Sequence, residues 1–268
     1  VSANNDSIQK TLLVAVLLCL VCSVIVAGAA VGLRPQQNEN KANDKRAAVL
    51  QAAGLYDASQ SIASQFEDKI TTRIVNVKEN RFATDAEMAE LKTAGLIDQY
   101  GVFNQQKSAK MPEFSNALPG DEDIASIKRL EDFAAVYIVG DENNIDKIIL
   151  PVHGYGLWST LYGFLALEGD MDTIVGLGFY SHAETPGLGG EVDNPKWKAQ
   201  WVGKEVFDKD GDIAITVVKG GAQPGNPYQV DGLSGATLTS RGVDNLVRFW
   251  VGSKGFGGLL DNLKGQGA

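Results

Sequence analysis

The run from Leu12 to Leu33 contains no charged residue and is bounded by Lys10 on one side and Arg34 on the other. Wound as an α-helix at 1.5 Å per residue, it extends roughly 33 Å, enough to cross a bilayer core of about 30 Å. Lipid offers no partners to backbone N–H and C=O groups, so a lone segment of this kind satisfies them only as a helix. A secretory signal competes with this reading, because Ala27-Gly28-Ala29-Ala30 is a small-residue stretch suited to cleavage. Signal cores, however, run about 7–15 residues behind a positive start. Here the run is longer, and Val1–Lys10 balances one Lys against one Asp. The sequence therefore predicts a short tail (1–11) and an uncleaved anchor (12–33). Gly28 and Gly32 have the spacing of helix-packing glycines, a weak signal by itself. Cys19 and Cys22 have C-x-x-C spacing but lie inside the apolar run without two further ligands nearby, so they read as small hydrophobes.

Composition bounds the remainder. With 44% hydrophobic residues the chain can bury a full core, and its formal net charge of −9 argues against nucleic acid as a partner. No cysteine follows Cys22, which excludes a disulfide from this part. His153 and His182 are too few and too separate to suggest zinc, and no metal site is expected. No G-x-G-x-x-G follows a strand, which argues against a nicotinamide site.

Periodicity predicts helices over Asp44–Ala53 and Asp57–Lys69, a strand over Thr71–Val77, and a helix opened by the capping box Thr84-Asp-Ala-Glu87. Gln105–Asp123 is polar and proline-bearing, and reads as a long excursion. Strands are expected at Ala134–Val139, Lys147–Val152, Trp158–Leu167, Thr173–Tyr180 and Asp212–Lys219, with helices at Asn194–Trp201 and Arg241–Val251. Consecutive strands with helices at the edges imply an α+β fold, divided into a helical and mixed part (34–130), a sheet core (131–255) and a C-terminal tail (256–268).

Two loops carry the candidate chemistry. In Asp231-Gly-Leu-Ser234-Gly235-Ala236-Thr237-Leu-Thr239-Ser240, an acidic residue and a small-residue turn precede a hydroxyl cluster and a helical pattern. Ser and Thr also serve as ordinary helix caps at such a place. A threonine hydroxyl attacks a phosphoanhydride only with help from a base or metal. A helix N-terminus, in turn, offers N–H donors to a phosphate. In the second loop, His182-Ala-Glu184-Thr185-Pro186-Gly187-Leu188-Gly189-Gly190-Glu191, the glycines allow backbone conformations closed to other residues. Glu184 reads either as a site carboxylate or as an acceptor that orders the loop. Tyr155 and Trp158 read equally as core aromatics or as residues beside a ligand. Lys219, at the end of a strand pattern, reads as a solvated lysine on its own.

Together these loops resemble the FMN-binding domain family: Asp231–Thr237 matches a D-x-x-S/T-G-A-T flavinylation signature, and Glu184–Gly189 matches an E-T-P-G-L-G loop. With the anchor, Asn4-Asn5-Asp6-Ser7-Ile8, Lys10-Thr11-Leu12 and Ala30–Arg34, the chain resembles the C subunits of Na⁺-translocating NADH:quinone oxidoreductases. The resemblance implies FMN joined to Thr237 by a phosphoester, with Asp231, Ser234, Gly235 and Ala236 forming the attachment turn. It also implies that Glu184, Thr185, Gly187, Leu188 and Gly189 cradle the flavin, with Tyr155, Trp158 and Lys219 beside it. Further implications are electron transfer in a multi-subunit complex that oxidises NADH, reduces ubiquinone and moves Na⁺, and maturation by a flavin transferase. The family places this domain on the periplasmic side of the bacterial inner membrane. The lysines and arginines after the anchor would by themselves favour the cytoplasm. The G subunit of Rnf electron-transport complexes shares the signature and is the alternative, beside a stand-alone anchored flavin shuttle and a flavin-free scaffold.

Overall fold

The computed structural model describes residues 7–98, 102–141 and 144–265. Residues 1–44 and 45–268 form separate compact units. The first holds most of α1 (Ile8–Ala52), whose most apolar window has a mean hydropathy of 3.0. Among the described residues this is the one helix long and apolar enough to cross a membrane. Cys19 and Cys22 lie on it as free thiols. The helix expected over Asp44–Ala53 is the last part of α1, which runs on through Pro35. Proline removes one backbone donor, yet the polar residues that follow are good enough helix formers to continue it.

In the second unit the chain continues through α2 (Ile62–Lys69), β1 (Thr71–Asn76), β2 (Arg81–Phe82), α3 (Asp85–Thr93), α4 (Gln105–Ser108), β3 (Ser115–Ala117) and β4 (Arg129–Glu131). There follow β5 (Phe133–Asp141), β6 (Asn144–Tyr155), β7 (Thr160–Glu168), β8 (Ile174–Ser181), α5 (Pro195–Lys198), β9 (Thr216–Val218), β10 (Gln229–Asp231), α6 (Thr237–Val251) and α7 (Gly257–Lys264). A six-stranded antiparallel sheet in the order β2-β1-β5-β6-β7-β8 forms the centre, making the fold α+β. Successive side chains of a strand face opposite ways, and this sheet is covered on both faces. Ala134 and Val136 of β5, with Ile148, Leu150 and Val152 of β6, join the core beneath α6 and α7. Phe133, Ala135 and Tyr137 of β5, with Ile149 of β6, join the opposite core, which takes in Val49 and Leu50 of α1.

Several boundaries differ from expectation for local reasons. The helix foreseen from Asp57 starts at Ile62, because the Asp57 carboxylate accepts from the N–H and hydroxyl of Ser59 and holds a turn. The strand foreseen over Asp212–Lys219 shrinks to β9, because Asp208 accepts from the N–H groups of Asp210 and Asp212 and bends the chain before it. Residues 256–268, expected as a tail, contain α7, and Phe256, Leu259, Leu260 and Leu263 are buried in the core. The capping box on α3 is formed on both sides. Glu87 also pairs with Arg81 at 2.8 Å, and the hydrogen bond from Arg81, outweighing partial burial, holds its carboxyl down at about 2.

One charged side chain sits deep inside. Glu131 is fully buried, accepts a hydrogen bond from Gln105, and lies 3.8 Å from His153 Nδ1, while its Oε2 has no partner. Burial raises its pKa against the opposing pull of His153 and Gln105.

Candidate functional site

The turn between β6 and β7, the loop after β8 and the first turn of α6 converge on one buried carboxylate. Glu184 Oε1 accepts from the backbone N–H of Leu157, Trp158 and Ser159 at 3.2, 3.0 and 3.2 Å. Its Oε2 accepts the hydroxyl of Thr239 at 2.7 Å. Burial pushes this carboxyl up, but the hydrogen bonds from Thr239 and from Trp158, Ser159 and Leu157 outweigh it, so its pKa falls below the ordinary value. A second link joins the same segments, since Ser159 Oγ accepts the N–H of Ala183 at 2.7 Å. His182 flanks the loop, with Nδ1 accepting the Glu184 N–H at 3.2 Å and Nε2 lying 2.9 Å from Asp193 Oδ2.

Close approach here depends on absent side chains. A Cβ on Gly189 would lie 2.5 Å from Thr239 Oγ1 and 2.7 Å from Glu184 Oε2, and one on Gly156 would lie 2.7 Å from Glu184 Oε1. On α6, a Cβ at Gly242 would lie 2.5 Å from the carbonyl oxygen of Tyr155. Trp250 fastens the far end of α6 by donating Nε1–H to the carbonyl of His153 at 2.7 Å.

The hydroxyls of the Asp231–Ser240 loop divide into two kinds. Thr239 is fully buried, and Ser240 is buried with its Oγ accepting from Leu233 N–H at 2.8 Å and donating to Ala236 C=O at 3.0 Å. Ser234 and Thr237 are exposed. Thr237 is the first residue of α6, four positions earlier than the helix was expected to start, and no side chain caps this helix end. Its first N–H groups and dipole therefore face outward, as an anionic group requires.

Asp231 points elsewhere. Its Oδ1 accepts the N–H of Ala222 at 2.5 Å, its N–H donates to Gln200 Oε1 at 3.0 Å, and its C=O accepts Trp197 Nε1–H at 2.7 Å. It thus orders the segment after Lys219, an exposed residue next to Val218, which pairs with Asp231 in the β9–β10 ladder.

Large apolar side chains crowd this surface. Trp158 is 65% exposed, and Tyr155, Leu157, Leu188 and Leu238 are exposed too. Leu188 reaches the turn before α6, since a Cβ on Gly235 would lie 3.1 Å from Leu188 Cδ2. Gly187 has φ +76° and open space beside it. An open apolar rim beside an uncapped helix end suits a flat ring that carries a phosphate. Sequence reasoning had Leu238, Thr239 and Gly156 within its motifs without a place in the site, and missed Gly242. A glycine inside the α6 pattern was the one local hint of close backbone approach.

These features define a flavin-binding electron-carrier domain, and the FMN-binding domain family model matches residues 156–252. The C subunit of the Na(+)-translocating NADH-quinone reductase of Pseudomonas aeruginosa is 52% identical over 268 residues, covering 98% of each chain. Its counterpart from Yersinia pestis is 44% identical, covering 97% of this chain and 95% of its own. The chain belongs to the family of C subunits of Na⁺-translocating NADH-quinone reductases, which sets aside the Rnf-type reading. The crystal structure of Shewanella oneidensis NqrC superposes with a TM-score of 0.72 at 33% identity, covering 85% of this chain and 99% of that one.

Proposed function

We propose that this chain is the membrane-anchored, electron-carrying flavoprotein subunit of a complex that oxidises NADH, reduces a quinone and translocates Na⁺, with FMN held by a phosphoester on Thr237. One observation carries the assignment to Thr237: its hydroxyl is exposed at the uncapped start of α6, whereas Thr239 and Ser240 are buried and hydrogen-bonded. The isoalloxazine ring, when bound, supplies the redox chemistry. The protein holds and orients it. The N–H groups of the first α6 turn face the phosphate, and Tyr155, Trp158, Leu188 and Leu238 offer apolar contact to the ring. Gly187 takes the left-handed backbone the loop uses and Gly189 lets the loop approach Thr239, while Glu184 and Asp231 order the loops behind the ring. Lys219, exposed just past the end of β9, is the cation assigned to the flavin. A flavin transferase attaches the group, since Glu184, the carboxylate nearest in the network, has its oxygens committed to other donors. The anchor holds the chain in the bacterial inner membrane with the flavin domain on the periplasmic side, where covalent attachment prevents loss of the cofactor. The sites for NADH and quinone belong to partner subunits.

Peptide mass spectrometry of the native protein tests the linkage. The expected result is an FMN-sized adduct on Thr237 and its loss in Thr237→Ala with the fold intact. An adduct on Thr239, Ser240 or Ser234, with Thr237 unmodified, would overturn the assignment.

A further inference from the structure

Glu184 and Thr239 are separated by 55 positions in sequence, yet they form a buried contact of 2.7 Å between the loop after β8 and the first turn of α6. Neither group is idle polar filling. The carboxylate collects the N–H groups of Leu157, Trp158 and Ser159 as well, so one buried anion binds three chain segments. Gly156 and Gly189 leave the space this requires, because a methyl group at either would press on a Glu184 oxygen. Thr239 lies two residues beyond Thr237, both in the first turn of α6. Fixing the side chain of Thr239 therefore fixes the rotation of that turn, and with it the direction in which Thr237 leaves the helix.

We propose that Thr239, held by Glu184, is a positioning residue for modification: it sets the orientation of the Thr237 hydroxyl that a transferase must reach. This rests on the assignment of Thr237 as the attachment point. In the step concerned, Thr237 Oγ1 attacks the flavin-side phosphorus of a flavin dinucleotide. A Thr–O–P bond forms, the P–O bond to the nucleoside monophosphate breaks, and that monophosphate leaves with the electron pair. The hydroxyl proton passes to a base of the transferase. No electron is gained or lost. Geometry matters in such a displacement because attacking and leaving oxygens must lie in line, and small misplacements slow it by large factors. A hydroxyl that donates to a buried carboxylate is a charge-assisted bond, stronger and more directional than a neutral one. Valine in place of Thr239 keeps the shape of the side chain and loses the bond, leaving a carboxylate lone pair unpaired.

The test uses the full-length chain in detergent with a flavin transferase, magnesium and FAD. Covalent flavin is followed by fluorescence after denaturing electrophoresis, and peptide mass spectrometry locates it. Initial rates are normalised to the folded fraction measured by circular dichroism. Thr239→Val should slow attachment at least tenfold, Thr239→Ser should restore most of the rate, and Gly189→Ala, which intrudes between the two partners, should slow it without altering either. Wild-type rates in both Thr239→Val and Gly189→Ala would overturn the proposal, as would equal slowing in Thr239→Val and Thr239→Ser. If Thr239→Val does not fold, a wild-type rate in Gly189→Ala, or equal slowing in Gly189→Ala and Thr239→Ser, overturns the proposal. A Thr237→Ala arm separates the two levels of argument. Flavin retained there removes the attachment assignment itself, whereas flavin lost there with Thr239→Val unaffected removes only the positioning role.

Discussion

At the scale of single residues, the charge states of two carboxylates are set by opposite balances. Glu184 has enough donors to stay ionised inside the protein, whereas Glu131 has one hydrogen bond, a histidine at 3.8 Å and an unpartnered oxygen. Burial therefore wins at Glu131 and raises its pKa in the folded state. The sign follows from linkage. Folding then favours the protonated form, so the destabilising cost is absent below the unfolded value of about 4.3 and grows as pH rises above it. Glu131→Gln, isosteric and uncharged, is expected to melt above the wild type at pH 8 and to lose that advantage near pH 4. Thermal melts by circular dichroism across this range check it. Lys219 is exposed instead. If its cation lies beside the ring, it favours the more negative reduced state, and Lys219→Ala will lower the flavin's reduction potential. Redox titration of variant and wild type reads this directly, and an unchanged potential removes Lys219 from that role.

At the scale of elements, α6 depends on how closely it meets the end of β6. Gly242→Ala would place a methyl group 2.5 Å from the Tyr155 carbonyl oxygen and 2.9 Å from Gly156 Cα, both backbone atoms that cannot swing aside. The expected cost is about 1–3 kcal/mol, the range for overpacking, measured by denaturant unfolding. That close contact was hidden in the sequence, where Gly242 looks like a mere weak point in a helical run. What was legible has local causes. The apolar run of α1, the shorter apolar runs of β5 to β8, and the Thr84–Glu87 capping box each follow from neighbours in the chain. The two loops were legible by resemblance as parts of an FMN-binding domain, which the family match over residues 156–252 spans. Illegible features depend on distant partners. Glu184 was ambiguous until Thr239 came to meet it, and α7 was masked by Gly255, Gly257 and Gly258, which read as a helix stop while Phe256 between them drives into the core.

At the scale of the whole molecule, the second unit contains its own sheet and both cores, including Val49 and Leu50 from the last part of α1. A chain beginning at Pro35 is therefore expected to stay in solution and fold, whereas one beginning at Gly54 loses these fully buried residues. Removing a single buried leucine side chain typically costs about 2–5 kcal/mol, so the shorter chain should melt far lower. Differential scanning calorimetry of the two fragments decides the matter, and equal melting temperatures would show that the end of α1 contributes nothing to the core.

The division of the hydroxyls into exposed and buried also has a consequence in time. In an unfolded chain Ser234, Thr237, Thr239 and Ser240 stand equally open, and only the local sequence distinguishes one from the next. Only when the sheet has closed and α6 has docked are Thr239 and Ser240 withdrawn while Thr237 stays outside. On the proposed linkage, the choice of Thr237 over Thr239 and Ser240 is then expected to come after folding, not during synthesis. An adduct confined to Thr237 and absent from Thr239 and Ser240 would then mark chains that had folded before modification.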